Sequence, residues 1–132
     1  RSGDELSAFL TQIQRVKREE LPRLETTAEG RPYNKEWLDA LELENILELL
    51  EFAAASALQR TESRGVHFRA DHPETDNDHW LRESVVSKTD AGFQVKTRPV
   101  STTSLTPPGG VTPYLEMIKK MMECHSEIGG HH

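Results

Sequence analysis

Leu6, Phe9, Leu10, Ile13 and Val16 recur at spacings of three and four residues, and Leu21 and Leu24 continue the series loosely. That period places them on one face of an amphipathic helix over about residues 4–20. Asp4 or Ser2 is positioned to cap its first turn. Pro22 lacks a backbone N–H and clashes with the preceding turn, so the helix ends or kinks near Glu20. Residues 26–32, with Gly30 and Pro32 among them, read as a connecting loop.

A second and longer helical pattern begins after Asn34, a good N-cap. Trp37, Leu38, Leu41, Ile46, Leu47, Leu49, Leu50, Phe52, Ala53, Ala54, Ala57 and Leu58 follow, with no Gly or Pro before Gly65. Roughly thirty helical residues at about 1.5 Å each make a rod of about 45 Å. Its apolar residues occupy more than one face, so neighbours are needed on two sides. One partner helix hardly covers such a surface, so a third is wanted, either the final helix of the chain or one upstream of Arg1. After Trp80 the period changes. Ser84–Thr89, the turn Asp90-Ala91-Gly92 and Phe93–Thr97 read as a strand, a turn and a strand. Ser101–Gly110, with Pro107-Pro108-Gly109-Gly110, reads as a linker. Thr112 and Pro113 then open a helix. Leu115, Ile118, Met122 and His125 form one stripe on it, Met117, Met121 and Cys124 the next, and Gly129 is its C-cap.

The expected architecture is mainly α: a two- to three-helix antiparallel bundle with a small appended β-hairpin and a C-terminal helix. The expected organisation is a bundle with its following loop over 1–83, a hairpin over 84–100, a linker over 101–111, and a helix and tail over 112–132. All four belong to one domain fragment.

Composition narrows the functional classes. A net charge of −6 and the lack of a basic stripe disfavour nucleic acid as a partner. The single cysteine, Cys124, excludes an internal disulfide and fits a reducing compartment. No apolar run approaches the roughly 20 residues needed to span a bilayer, and no signal peptide is visible, so direct membrane insertion is not expected. Hydrophobic residues make up 35% of the chain, enough for a modest core that leans on apolar surface from elsewhere.

Candidate chemistry gathers between Glu62 and Trp80, where arginines, aspartates, histidines, a glycine and a proline follow one another without helical or strand period. Arg64 and Arg69 have the bidentate geometry to clamp a carboxylate, and His67 titrates near neutral pH. The favoured reading is structural: Arg64, Arg69, Glu62 and Asp71 pair with one another and with backbone carbonyls, and Gly65 supplies the left-handed residue that ends the long helix. Asp71, His72, Asp76, Asp78 and His79 are metal-ligand types, but their spacing fits neither a zinc site nor an EF-hand. They read as a solvated acidic loop in which Asp71 or Asp78 caps the segment around Trp80. Glu36, Asp39, Glu42, Glu44, Glu48 and Glu51 make the second helix acidic, a solvated face partly neutralised by Arg15, Lys17 and Arg18. Cys124 reads as a core residue among methionines, and His131 and His132 carry no argument. There is no GxGxxG, P-loop, GxSxG, HExxH or CxxC pair, so no catalytic, cofactor-binding or metal site is assigned.

The order Asn34-x-x-Trp37-x-x-Ala40-Leu41-Glu42-Leu43-x-Asn45-Ile46-Leu47, then Ala57-Leu58-x-Arg60-x-Glu62-Ser63-Arg64-Gly65-x-His67-x-Arg69-x-Asp71-x-Pro73, then Asp76-x-Asp78-x-Trp80, resembles one family. It is similar to the C-terminal helical domain of succinate dehydrogenase and fumarate reductase flavoprotein subunits, and L-aspartate oxidase shares part of the pattern. The resemblance implies a parent oxidoreductase in which FAD exchanges a hydride with succinate or fumarate and passes electrons to or from an iron–sulfur subunit. It implies a cytoplasmic location, peripheral on the inner membrane through that complex. It also implies that this chain holds neither flavin nor substrate residues and packs against the flavin and capping domains. Arg64, His67, Arg69, Asp71 and Trp80 are the residues expected at that inter-domain contact. The alternatives are a stand-alone acidic helical interaction module and a parent of the L-aspartate oxidase type.

Overall fold

Two helices form the first unit of the chain, Gly3–Gln59, in a computed structural model that describes residues 1–26, 34–90, 92–104, 107–119 and 122. Helix α1 spans Gly3–Arg15, widens into a π-helical turn at Val16–Glu20 and tightens into a 3₁₀ turn at Leu21–Arg23 that carries Pro22. The regular α geometry thus stops at Arg15, short of the end expected near Glu20, while an irregular helical path continues past Glu20 to Arg23. A proline that cannot donate forces the last turns to change pitch.

Helix α2 spans Lys35–Gln59. Asn34 caps it, its Oδ1 accepting from the Trp37 N–H at 3.0 Å. At 25 residues it is shorter than expected and ends before Gly65. The reason lies just downstream. The Ser63 N–H donates to the Glu74 carbonyl at 2.7 Å instead of continuing the helical ladder, and the Glu62 side chain is drawn into a cluster of arginines.

Leu6 and Ile13 of α1 are buried, as are Leu47, Glu51 and Ala54 of α2, a stripe at spacings of four and three. The stripe includes an acid, and α1 supplies its partners. Lys17 Nζ lies 2.5 Å from Glu51 Oε2, and Gln14 Nε2 donates to Oε1 at 3.1 Å. Of the three bases expected to neutralise α2, Lys17 reaches it, whereas Arg15 pairs with Glu20 and Arg18 with Glu19. Leu24 lines a groove with Ala40 and Leu43. From Lys17 at Glu51 to Leu24 at Ala40 the chain thus runs antiparallel to α2. Much of α2's other apolar surface is exposed: Trp37, Leu38, Leu41, Leu43, Ile46, Leu49 and Leu50 are 37–65% exposed, while Phe52, Ala57 and Leu58 are half-buried.

The second unit gathers the residues from Arg60 onward together with Arg1–Ser2. The expected hairpin is present as β2 (Arg82–Thr89) and β3 (Gly92–Pro99), preceded in sequence by the short strand β1 (Glu74–Asp76). β2 and β3 pair antiparallel from Arg82↔Pro99 to Thr89↔Gly92, and Gly92 takes φ +126, which other residues rarely adopt. A second small sheet was not legible in the sequence. Strand β4, Val111–Pro113, pairs antiparallel with β1 in the register Glu74↔Pro113 and Asp76↔Val111. Thr112 and Pro113, expected to open the last helix, are thus strand residues, and helical residues start at Tyr114. The segment read as a linker is fastened at its end: Asn77 N–H donates to the Gly110 carbonyl at 3.0 Å, Gly110 N–H to Asp78 Oδ1 at 2.7 Å, and Asn77 Nδ2 to the Pro108 carbonyl at 2.7 Å. Gly30, Pro32, Met121, Cys124, His125, Gly129, His131 and His132 lie outside the described residues. Among the described residues no helix is long and apolar enough to cross a membrane.

Candidate functional site

The core of the second unit is polar. Glu62 is 1% exposed and Arg69 3%, and Ser63 and Thr75 are fully enclosed. Burying a carboxylate costs several kcal/mol unless its charge and lone pairs are answered, and here they are. Arg64 grips Glu62 with Nε to Oε1 at 2.8 Å and Nη2 to Oε2 at 3.0 Å. Arg60 donates to the same Oε1, and the Asp76 N–H donates to Oε2 at 3.0 Å. Arg60 also donates to the carbonyls of Trp80 and Arg82, and its guanidinium lies 5.1 Å from the centre of the Trp80 ring, a cation–π contact. The Trp80 indole N–H in turn donates to Thr61 Oγ1 at 2.9 Å.

A second ion pair closes the loop. Arg69 meets Asp71 bidentately, Nε to Oδ1 at 2.9 Å and Nη2 to Oδ2 at 2.5 Å, while its Nη1 donates to the Arg60 carbonyl at 3.1 Å. Ser63 sits between the strands of this knot. Its hydroxyl donates to the His72 carbonyl at 2.7 Å and accepts from the Arg69 N–H at 2.9 Å. Thr75 Oγ1 donates to the Ser63 carbonyl at 2.6 Å. The resulting arginine clasp folds the loop into two tight turns, closed by backbone pairing of Arg64 with His67 and of Arg69 with His72. Gly65 takes φ +57 in the first of them. Its left-handed conformation, expected to end the long helix, serves this turn instead.

Arg64, His67, Arg69, Asp71 and Trp80 are therefore brought into one cluster. The guanidinium groups of Arg64 and Arg69 are each committed to a carboxylate of the same loop, as the pairing reading holds. His67 is held below the ordinary histidine value, first by burial and then by the nearby charges of Arg60, Arg69 and Arg1, although a hydrogen bond to Arg60 backbone opposes them. Its Nε2 is buried without a partner. A neutral imidazole in that setting is a poor proton donor at neutral pH. The cap of the segment before Trp80 is Asp76, not Asp71 or Asp78. Its Oδ1 accepts from the N–H groups of Asp78 (3.0 Å) and His79 (2.9 Å), and its Oδ2 faces His79 Nδ1 at 2.9 Å. Burial alone would raise the Asp76 pKa, but these His79 and Asp78 contacts leave it lowered. Among the described residues no three His, Cys, Asp or Glu side chains are gathered to hold a metal.

Sequence reasoning missed the centrality of Arg60. The signal was available: Arg60, Glu62 and Arg64 alternate, and in extended chain alternate residues share a face. The contribution of Tyr114, whose hydroxyl donates to the Gly65 carbonyl, had no such signal, because forty-nine residues separate the two.

A helical pair followed by an ion-paired clasp and a small hairpin is an architecture with close counterparts among flavoprotein subunits. The model of the fumarate reductase flavoprotein C-terminal family matches residues 1–113, and the chain belongs to that family. It is 39% identical to a succinate dehydrogenase flavoprotein subunit of Coxiella burnetii over 64% of this chain and 14% of that protein. A fumarate reductase flavoprotein subunit of Mycobacterium tuberculosis is 34% identical over 83% of this chain and 18% of that one. The quinol fumarate reductase chain FrdA of E. coli superposes with a TM-score of 0.75 at 25% identity, over 82% of this chain and 19% of its own. The chain thus spans less than a fifth of the length of these relatives.

Proposed function

We propose that this chain is the C-terminal structural and docking domain of an FAD-dependent subunit of the succinate dehydrogenase or fumarate reductase type. In that parent, succinate and fumarate are interconverted at the flavin, and electrons are exchanged with an iron–sulfur subunit of a complex peripheral to the membrane. The domain contributes no catalytic or flavin-binding residue. Its task is to pack against the flavin and capping domains and hold the subunit in a form its partners accept.

The observation that carries this reading is the bare apolar surface of α2. Seven large apolar side chains are left substantially exposed on one helix, far more than the scattered apolar residues of an ordinary surface. Such a helix is the interior element of a larger helical assembly. A third helix from the upstream polypeptide completes an antiparallel bundle around it. Arg64, His67, Arg69, Asp71 and Trp80 serve the docking by fixing the shape of the clasp, in which the side chains of Arg64, Arg69, Asp71 and Trp80 are hydrogen-bonded. The test is calorimetric titration of this chain into the separately expressed, FAD-loaded remainder of its subunit. Binding with a negative heat-capacity change is expected from burial of the α2 face. No binding by a chain that circular dichroism finds folded would move the reading to an independent interaction module.

A further inference from the structure

The apex of the clasp is the turn from Gly65 to Phe68, and its backbone is held firmly. Arg64 N–H donates to the His67 carbonyl at 2.8 Å and His67 N–H to the Arg64 carbonyl at 2.9 Å. The Tyr114 hydroxyl donates to the Gly65 carbonyl, and the Tyr114 ring stands 5.6 Å from that of Phe68. On this support Val66 is 100% exposed, with Phe68 at 42% beside it. Turn apices favour Gly, Asn, Asp and Ser, which satisfy the local backbone. An apolar apex departs from that preference, and covering Val66 would take its whole side chain out of water.

The path of the chain says what would cover it. The Ala70 N–H donates to the Arg1 carbonyl at 2.7 Å, and Arg1–Ser2 group with the clasp rather than with α1. Polypeptide ahead of Arg1 thus joins the clasp at Ala70, two residues along the chain from Phe68 of the apex. In a subunit of the relatives' length, of which this C-terminal family region is 14–18%, that polypeptide is the flavin-binding remainder. Tethering gives it an effective concentration on the order of millimolar at the apex, and a turn already fixed in shape loses little further freedom on contact.

We propose that Val66, flanked by Phe68, is a plug that seats in an apolar socket on the polypeptide upstream of Arg1 in the same subunit. The proposal rests on the docking reading above and names its point of contact. Glu62, Arg64, Arg69 and Asp71 shape the plug from within, and the apolar apex makes the contact.

The test uses the intact subunit in a Cys124→Ser background, with Val66→Cys and, separately, Leu49→Cys on the bare face of α2. Each is labelled with a maleimide in the native and in the urea-unfolded state. Trypsin releases the apex as the peptide Gly65–Arg69, on which mass spectrometry reads the label. Native Val66→Cys is expected to label at least about tenfold more slowly than the unfolded form, since labelling then requires local opening. Equal rates at position 66 would overturn the plug. Protection at position 49 with none at 66 would remove the plug and leave the docking reading standing, and no protection at either would remove both. As a second measure, Val66→Asp is expected to lower the urea midpoint of the intact subunit more than Val66→Ala does. Indistinguishable midpoints for Val66→Asp and the unsubstituted subunit would also overturn the proposal.

Discussion

At the scale of single residues, the decisive balance is the burial of Glu62 against its two arginines. Removing one member of a buried ion pair strands the others, at about 3–5 kcal/mol. Glu62→Gln keeps the shape and removes the charge, leaving Arg60 and Arg64 without a counter-ion. The urea midpoint of the clasp unit should fall accordingly, and a change below about 0.5 kcal/mol, typical of a surface site, would contradict the assignment. His67 and Asp76 set the response to acid. Both have pKa values lowered in the fold. The unfolded chain therefore binds more protons than the folded one as pH falls, and stability rises with pH. For His67 the loss begins below the ordinary histidine value of about 6.5, and for Asp76 only in the carboxylate range. His67→Phe should flatten the dependence of the melting temperature between neutral pH and mild acid. An unchanged slope would count against a neutral buried imidazole. That Arg64, Arg69, Glu62 and Asp71 pair among themselves was legible from composition, because so many opposite charges in one short loop have few other partners; that Arg64 takes Glu62 and Arg69 takes Asp71 was not. Which residue capped the Trp80 segment was not legible, because Asp71, Asp76 and Asp78 are chemically alike and only backbone direction separates them.

At the scale of elements, α2 was foreseen in type, start and cap. Asn34→Ala should cost about 1 kcal/mol in an unfolding titration, the usual value of an N-cap. The α1–α2 contact makes a sharper prediction. Lys17→Met leaves Glu51 buried with only Gln14 to answer it, and is expected to cost about 1–3 kcal/mol. Glu51→Leu removes the buried charge and extends the apolar stripe of Leu47 and Ala54, so it should be neutral or stabilising. The reverse order of these two variants would sink this account of the interface. The end of α2 was misjudged because no helix breaker occurs before Gly65. The helix stops at Gln59, ahead of Ser63, whose N–H bonds to the Glu74 carbonyl, and local propensity carries no trace of a partner eleven residues away. The pairing of β1 with β4 was missed for the same reason. Each is three residues long, too short for a period to declare itself.

At the scale of the whole molecule, the exposed apolar residues of α2 are the surface that the proposed docking would cover. Alone, the chain should bind a hydrophobic dye such as ANS, and the dye should be displaced when the flavin-loaded remainder of the subunit is added. Dye binding that persists undiminished in the complex would show the face to be uncovered there. The purified chain should carry no flavin absorbance and reduce no dye with succinate, and either signal would overturn its assignment as a non-catalytic domain.

The sequence by itself determined the helices, the hairpin, the charged loop and the family, because each is written in local period or in residues close along the chain. Tertiary structure decided where α2 stops, which carboxylate each arginine takes, how β4 returns to β1, and that Val66 stands fully exposed. Those outcomes depend on groups far apart in sequence competing for the same hydrogen bonds. Only the folded chain, with its distances set, selects among them.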